Sequence, residues 1–407
     1  MDISPLACPF PELPEVAGCR RGAATAGYKP WTRADVTLLA FEPGTVVAGV
    51  TTRSKCPSPE VELCRRHLPG GAARALVVNA GNSNAFTGMR GADACAAQVA
   101  EAARLLDCEQ AEVFAASTGV IGVPLPADKA TSGVRAAHAA LGSASWLDVT
   151  QAIGTTDTFP KAAAREAVVD GRKVTLVGFI KGSGMIAPDM ATMLGFIVTD
   201  AAIDPALLQQ MLTAANRSTF SCITVDGDTS TSDTVLAFAT GAAGNARLEI
   251  ADSPGADAFA VALADLCREL AQLVVRDGEG ASRFVEIRVS GAVSDDSAHR
   301  IALSIANSPL VKTAIAGGDA NWGRVVMAVG KAGEPAERDR LSIRFGGIEV
   351  AANGMVVEGY DEAPVAAHLQ GQDIDIAVEL GLGDGRATVW TSDLTHGYIS
   401  INADYRS

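Results

Sequence analysis

The 407 residues carry a formal charge of −14 and a pI near 4.8, with 48% hydrophobic and 20% charged side chains. A surface this acidic argues against nucleic acid or an anionic membrane as partner, because either rewards a basic face. The apolar content is enough for a large core in two lobes, and it leaves small metabolites as the expected ligands.

The eight cysteines are scattered without a C-x-x-C pair and there are five histidines, so the sequence predicts reduced thiols with neither a disulfide framework nor a metal site. Residues 1–20 hold four prolines and no apolar core behind a basic start, and no eighteen apolar residues run together. Neither a signal peptide nor a membrane span is therefore expected, and the expected location is cytoplasmic.

In chain order, Val36–Phe41 and Thr45–Val50 read as strands joined into a hairpin by Glu42-Pro-Gly44, and Pro59 opens a short helix. The strand Arg74–Val78 ends in Asn79-Ala-Gly-Asn-Ser-Asn84, where amides and glycine suit a tight loop. Apolar positions from Gly91 to Leu106 recur at three- and four-residue intervals and predict a helix packed by one face. A strand over Val113–Ala116 delivers Ser117-Thr-Gly-Val-Ile-Gly122, whose Thr-Gly step offers a hydroxyl and backbone N–H groups to a developing oxyanion, or makes a simple turn. After a helix over 127–141 comes Thr155-Thr-Asp-Thr158, a run of short donors and acceptors that suits a helix cap or a polar ligand.

A hairpin through Asp170-Gly171 joins Ala163–Val169 to Val174–Ile180 and feeds a glycine-rich turn, Lys181-Gly-Ser-Gly-Met-Ile-Ala-Pro-Asp-Met-Ala-Thr-Met-Leu-Gly-Phe196. Were the Ala191–Thr192 bond cut, Thr192 would carry a hydroxyl nucleophile and a free α-amine, with a pKa of roughly 7.7 to 8.0, on one residue. Beyond it, Leu194–Val198 is apolar, Pro205 opens a helix to Ala215, and Ile223–Asp233 reads as a polar strand end. Its acids Asp226, Asp228 and Asp233 lack the spacing and terminal glutamate of a calcium loop. A long helix over Ala256–Val274 leads to Arg276-Asp-Gly-Glu-Gly280, then a strand over Val285–Val289 and a helical stretch over Ile301–Ile315 interrupted by Pro309. Asn321-Trp-Gly-Arg324 reads as a loop leading into Val325–Val329. From Leu341 strands dominate, turning at Asn353-Gly354 and Gly383-Asp-Gly385, with one helix over Ala363–Leu369 and an alternating run at Ile374–Leu380.

The glycine turn, with Asn79–Asn84, Ser117–Gly122, Thr155–Thr158 and Pro160-Lys161, Asp226–Asp233, Val275–Gly280, Asp319–Arg324 and the end at Asn402, closely resembles the ornithine acetyltransferase family of arginine biosynthesis, also called glutamate N-acetyltransferases. The matching blocks run through most of the chain in family order. The resemblance implies an α/β fold of α+β type, antiparallel sheets sandwiched by helices (DmpA/ArgJ-like), with a second smaller α/β lobe. It implies self-cleavage between Ala191 and Thr192 into an α chain, 1–191, and a β chain, 192–407, which stay together as one catalytic unit and pair into a heterotetramer of two α and two β chains. It implies that Thr192 takes acetyl from N2-acetyl-L-ornithine and passes it to L-glutamate through a ping-pong cycle. Thr118 and Gly119 then form the oxyanion hole, while Thr155, Lys181, Thr192, Glu279, Asn402 and Ser407 bind substrate. No resident cofactor is implied, and with no CoA-binding motif visible the sequence leaves acetyl-CoA open as a second donor.

Two other classes fit parts of the sequence. Gly182-Ser-Gly-Met-Ile-Ala187 matches a loose G-x-G-x-x-A dinucleotide fingerprint, but Pro188 spoils the helix that fingerprint needs. A non-catalytic homologue that keeps the pocket would retain the same residues and differ by remaining uncut.

Overall fold

Three sheets account for the strands of the computed structural model, which describes residues 2–187 and 193–404. Ala191, Thr192 and Ser407 lie outside the described residues. The first sheet runs Cys19–Ala24, Val36–Phe41, Ala75–Asn82, Val113–Val120. The second runs Val46–Thr51, Thr234–Ala239, Leu194–Thr199, Arg172–Lys181, Lys161–Val169. The third forms the smaller lobe: Met355–Val356, Ile348–Ala352, Ser342–Phe345, Asp373–Glu379, Phe284–Ala292, Gly385–Ser392. Each is largely antiparallel and holds one parallel pair, so the fold is the expected α+β type with mixed rather than purely antiparallel sheets.

The second sheet is buried on both faces, and its side chains divide by the two-residue period of a strand. Val177, Phe179, Leu194, Phe196, Val198, Leu236 and Phe238 face the first sheet. Leu176, Ile180, Ile197, Val235 and Ala237 face the helices Pro205–Arg217 and Ala256–Arg276. The helices Gly88–Leu106 and Ala127–Ala139 cover the outer side of the first sheet, and the helix Trp146–Ile153 fills the seam between the two. The layers are therefore helix, sheet, sheet, helix. In the inner layer Phe179 stands 5.9 Å from Trp146 and 5.4 Å from Phe196, while Phe238 stacks on Phe41 at 4.5 Å. The third sheet is covered by the helix Asp295–Ala306, which packs on Phe284–Ala292 and Gly385–Ser392.

The Asp170-Gly171 hairpin forms as predicted. Both turn residues have positive φ, 47° and 73°, giving a backbone twist that matches the flanking strands and an unbroken register from Lys161–Ile180 to Val169–Arg172. The Glu42-Pro-Gly44 hairpin does not form. The turn is present, with the Thr45 amide donating to Glu42 O at 3.3 Å, but it is a corner: Val36–Phe41 stays in the first sheet and Val46–Thr51 crosses to pair with Thr234–Ala239 in the second. The stretch Ile223–Asp233 is not a strand, since the strand begins at Thr234. Pro309 does more than interrupt a helix; with Ser308 capping the Val311 amide it starts a new one, Pro309–Ala316. Val325–Val329 lies inside a helix, Trp322–Gly330, nucleated by Asn321 Oδ1 accepting from the Arg324 amide at 3.2 Å.

Phe179 tests the layer arrangement. Truncation to alanine removes the ring that bridges helix and strand, so Phe179→Ala is expected to cost about 3–5 kcal/mol in denaturant unfolding. A loss below about 1 kcal/mol would contradict its place in a closed inner layer.

Candidate functional site

Two parallel strands end side by side at the mouth between the sheets. Ala80 pairs with Thr118 and Gly81 with Gly119 before the register shifts at Asn82. Gly119 has φ 129°, and a Cβ there would lie 2.4 Å from the Gly81 carbonyl carbon, so only glycine allows the two strand ends to approach this closely. Buried side chains hold this end rigid: Ser117 Oγ donates to Asn79 Oδ1 at 2.6 Å, Asn79 Nδ2 to Asn82 O at 2.9 Å, and Ser83 Oγ to Val120 O at 2.7 Å. Asn84 Nδ2 donates to Glu60 Oε1 at 2.8 Å, a carboxyl that burial pushes above its usual range. The asparagines thus satisfy buried backbone and a buried acid; of that loop, Ser83 reaches the cavity.

Lys181 ends the hairpin strand opposite. Its Nζ donates to Thr118 Oγ1 at 3.0 Å, and among the described residues no carboxylate lies within ion-pair distance of it. Burial pushes the ammonium below the usual lysine range, and the Asp157 carboxylate acts against that shift. Past Lys181 the backbone folds against a third segment. Ser183 Oγ donates to Asp277 O at 2.6 Å, and the Glu279 amide donates to Ser183 O at 3.0 Å. A Cβ on Gly184 would lie 2.5 Å from the Glu279 carboxyl carbon, so the glycine makes room for that carboxylate. Asn402 Nδ2, from the C-terminal helix His396–Asp404, donates to Glu279 Oε2 at 2.8 Å. Gly280 (φ 71°) lets that helix approach, because a Cβ there would meet the Tyr398 amide nitrogen at 2.3 Å.

These elements line a cavity of about 310 Å³ that opens to solvent and whose walls include Thr118, Gly119, Thr155, Lys181, Glu279 and Asn402. Six residues predicted from five separate stretches of the sequence therefore converge. Thr192 and Ser407 lie outside the described residues; Met193, the next residue after Thr192, is buried in the cavity wall. Its amide donates to Asp233 Oδ1 at 3.1 Å and its carbonyl accepts from the Thr234 amide at 3.1 Å. Burial pushes the Asp233 carboxyl well above its usual range.

Asp226 does not join a metal set: its oxygens accept from the Met185 and Ile186 amides at 2.6 and 2.9 Å. Among the described residues no three His, Cys, Asp or Glu converge as metal ligands, no helix starts within 182–187, and no helix is long and apolar enough to cross a membrane. All eight cysteines are unpaired. In the sequence Asp233 stands out only as one of three acids unsuited to a calcium loop, and Lys161 and Asp277 have no role of their own. Lys161 carried a signal, a lysine set directly before three alanines at the start of a strand, a place a fold tolerates at full burial only with partners.

Fold and cavity together suit an enzyme that takes a small molecule into a polar, half-open pocket at the mouth between two sheets. A family model described as the ArgJ family matches residues 20–407. The chain is 64% identical over 407 residues to the arginine biosynthesis bifunctional protein ArgJ of Zymomonas mobilis, spanning 100% of this chain and 99% of that protein, and 56% identical to that of Gluconobacter oxydans, spanning 100% and 96%. The crystal structure of the ArgJ protein of Bacillus halodurans is similar with a TM-score of 0.51 at 42% identity, over 53% of this chain and 100% of that one. The chain belongs to the ArgJ family.

The contact between Gly184 and Glu279 gives a direct test of the cavity. Gly184→Ala drives a methyl group into the carboxylate, and KM for an amine-bearing substrate should rise by about tenfold or more, the worth of one charge-assisted hydrogen bond. An unchanged KM would remove Glu279 from the binding site.

Proposed function

We propose that this chain is an acetyltransferase of arginine biosynthesis that carries acetyl from N2-acetyl-L-ornithine to L-glutamate on Thr192. The observation that carries the reading is the convergence of Thr118, Gly119, Thr155, Lys181, Glu279 and Asn402 on one cavity whose wall continues into Met193. Hydrolysis of the Ala191–Thr192 bond leaves a carboxylate on Ala191 and an α-amine on Thr192, which serves as general base for the Thr192 hydroxyl. The α chain is then 1–191 and the β chain 192–407. The solved Bacillus chain supports this, because its whole length matches 53% of this chain, the share that residues 192–407 occupy.

In the first half-reaction the Thr192 oxygen attacks the acetyl carbonyl, an ester C–O bond replaces the amide C–N bond, and the hydroxyl proton passes through the α-amine to the departing ornithine nitrogen. The Thr118 hydroxyl and Gly119 amide face the oxyanion. Lys181 takes the substrate carboxylate as a buried point charge, and Glu279, oriented by Asn402, takes an amine. The neutral amine of glutamate then attacks the ester carbonyl, an amide C–N bond replaces the ester C–O bond, and the amine proton returns through the Thr192 α-amine to the Thr192 oxygen. Donor and acceptor share the α-carboxylate that Lys181 recognises, so one site emptied between the steps serves both.

The Zymomonas and Gluconobacter relatives are bifunctional by name. This supports acetyl-CoA as a second donor, entering as co-substrate to a site without a resident cofactor. The reading further includes Ser407 at the substrate, a heterotetramer of two α and two β chains, and a cytoplasmic enzyme.

Intact-mass analysis of the purified protein should show two chains, one beginning at Thr192, and Thr192→Ala should give a single uncut chain without transferase activity. A fully active, unprocessed wild type would rule out the freed amine as base.

A further inference from the structure

Beneath the cavity lies a set of charges to which the reaction above gives no task. Lys161 Nζ stands 2.6 Å from Asp157 Oδ1 and 2.5 Å from Asp277 Oδ2, with side chains 0%, 8% and 0% exposed. Each carboxylate also holds a segment of the site. Asp157 accepts from the Gly182 amide at 2.8 Å and from the Thr155 amide at 2.9 Å. Asp277 accepts from Thr158 Oγ1 at 2.5 Å, and its own carbonyl accepts from Ser183. A buried ion set of this kind costs desolvation energy that its own attractions barely repay, so its retention calls for a role in placing something.

What it adjoins is Lys181. Asp157 is bonded to the amide immediately after that residue, and Lys161 lies beside Ile180 across the hairpin. Two carboxylates and one ammonium leave a single net negative charge, faced by the Lys181 ammonium and, from the outer side, by the Arg33 guanidinium, which is tied to the Gln151 and Gly154 carbonyls. We propose that Asp157, locked by Lys161 and Asp277, is the positioning residue for Lys181: its carboxylate is the fixed counter-charge behind the ammonium that meets the substrate carboxylate.

The electrostatic surroundings agree with the geometry. Four charged groups act on Lys181 besides its burial: Asp157 first among them, Asp233 and Glu279 favour the ammonium, and Lys161 opposes it. For Asp157, burial alone would raise its carboxyl, but the Lys161 and Lys181 charges, with the hydrogen bonds from Lys161 and the Thr155 amide, together outweigh burial and hold it below the usual range. A lysine buried this deeply without a counter-charge gives up its proton, and a neutral amine cannot recognise a carboxylate. Removing the Asp157 charge weakens the hold of Lys181 on its proton, so the binding-competent form is lost at a lower pH as pH rises.

The inference rests on Lys181 binding the substrate carboxylate, and the experiment separates the two. The pH profile of kcat/KM for N2-acetyl-L-ornithine is measured on processed wild type, Asp157→Asn, Asp277→Asn and Lys181→Gln, with thermal melts alongside. In Asp157→Asn the amide oxygen takes the place of Oδ1 and still accepts from Gly182, while the Thr155 amide, which met Oδ2, loses its acceptor; Lys161 keeps Asp277, and the thermal melt reads whether the fold is retained. Its alkaline limb should move to lower pH by about one unit or more, while that of Asp277→Asn stays near wild type. Should Asp157→Asn fail to fold, Lys161→Gln provides the opposite sign: losing a like charge moves the limb upward. Lys181→Gln should lack the limb. If the limb survives in Lys181→Gln, the carboxylate-binding assignment itself is wrong. If it disappears there while Asp157→Asn superposes on wild type, or Lys161→Gln shifts it downward or not at all, Asp157 is not the counter-charge and the inference is overturned.

Discussion

Bringing a strand end, a hairpin end and a helix end to one point leaves backbone amides buried with no ladder to join, and the ion set Asp157–Lys161–Asp277 is what satisfies them here. Gly182, Thr155 and Thr158 donate amides to its carboxylates. Glu279 follows two residues after Asp277 and is tied to the same turn through Ser183. The ends of strands and a helix, with the turns beside them, supply the cavity's polar groups, and such ends are where regular hydrogen bonding runs out. Here they are fixed from behind by charges that are almost wholly closed to solvent.

The glycines do complementary work by letting backbone and side chain come closer than a methyl group allows. Gly119 lets two parallel strands end in contact, Gly184 leaves room for Glu279, and Gly280 admits the C-terminal helix that brings Asn402. Rigid layers on either side make this closeness dependable. The second sheet is packed on both faces, by the first sheet and by two helices, so Lys181 and Leu194 leave adjacent strands with little freedom in direction.

Much of this was legible in the sequence, and the divisions are physical. Asp170-Gly171 announced its hairpin because positive φ at both residues belongs to one turn type. Glu42-Pro-Gly44 announced a turn equally well, but a turn does not say which sheet the next strand joins, and Val46–Thr51 found its partner nearly two hundred residues away. Val325–Val329 is a short apolar run of the kind that periodicity cannot assign, and the Asn321 cap decided it. The cavity residues were reached through resemblance, motif by motif. Lys161 and Asp277 stood inside those motifs yet had no visible task, because a buried ion set becomes apparent only when its members, 116 positions apart, are seen within 2.5 Å of one another.

The central claim is that one cavity serves both half-reactions through an ester on Thr192. Incubating the processed enzyme with N2-acetyl-L-ornithine alone and taking the intact mass of the fragment that begins at Thr192 tests it most directly. That fragment should gain one acetyl group, mapped to Thr192 and discharged when L-glutamate is added. A fragment that stays unmodified, in an enzyme that transfers acetyl only when both substrates are present together, would contradict it.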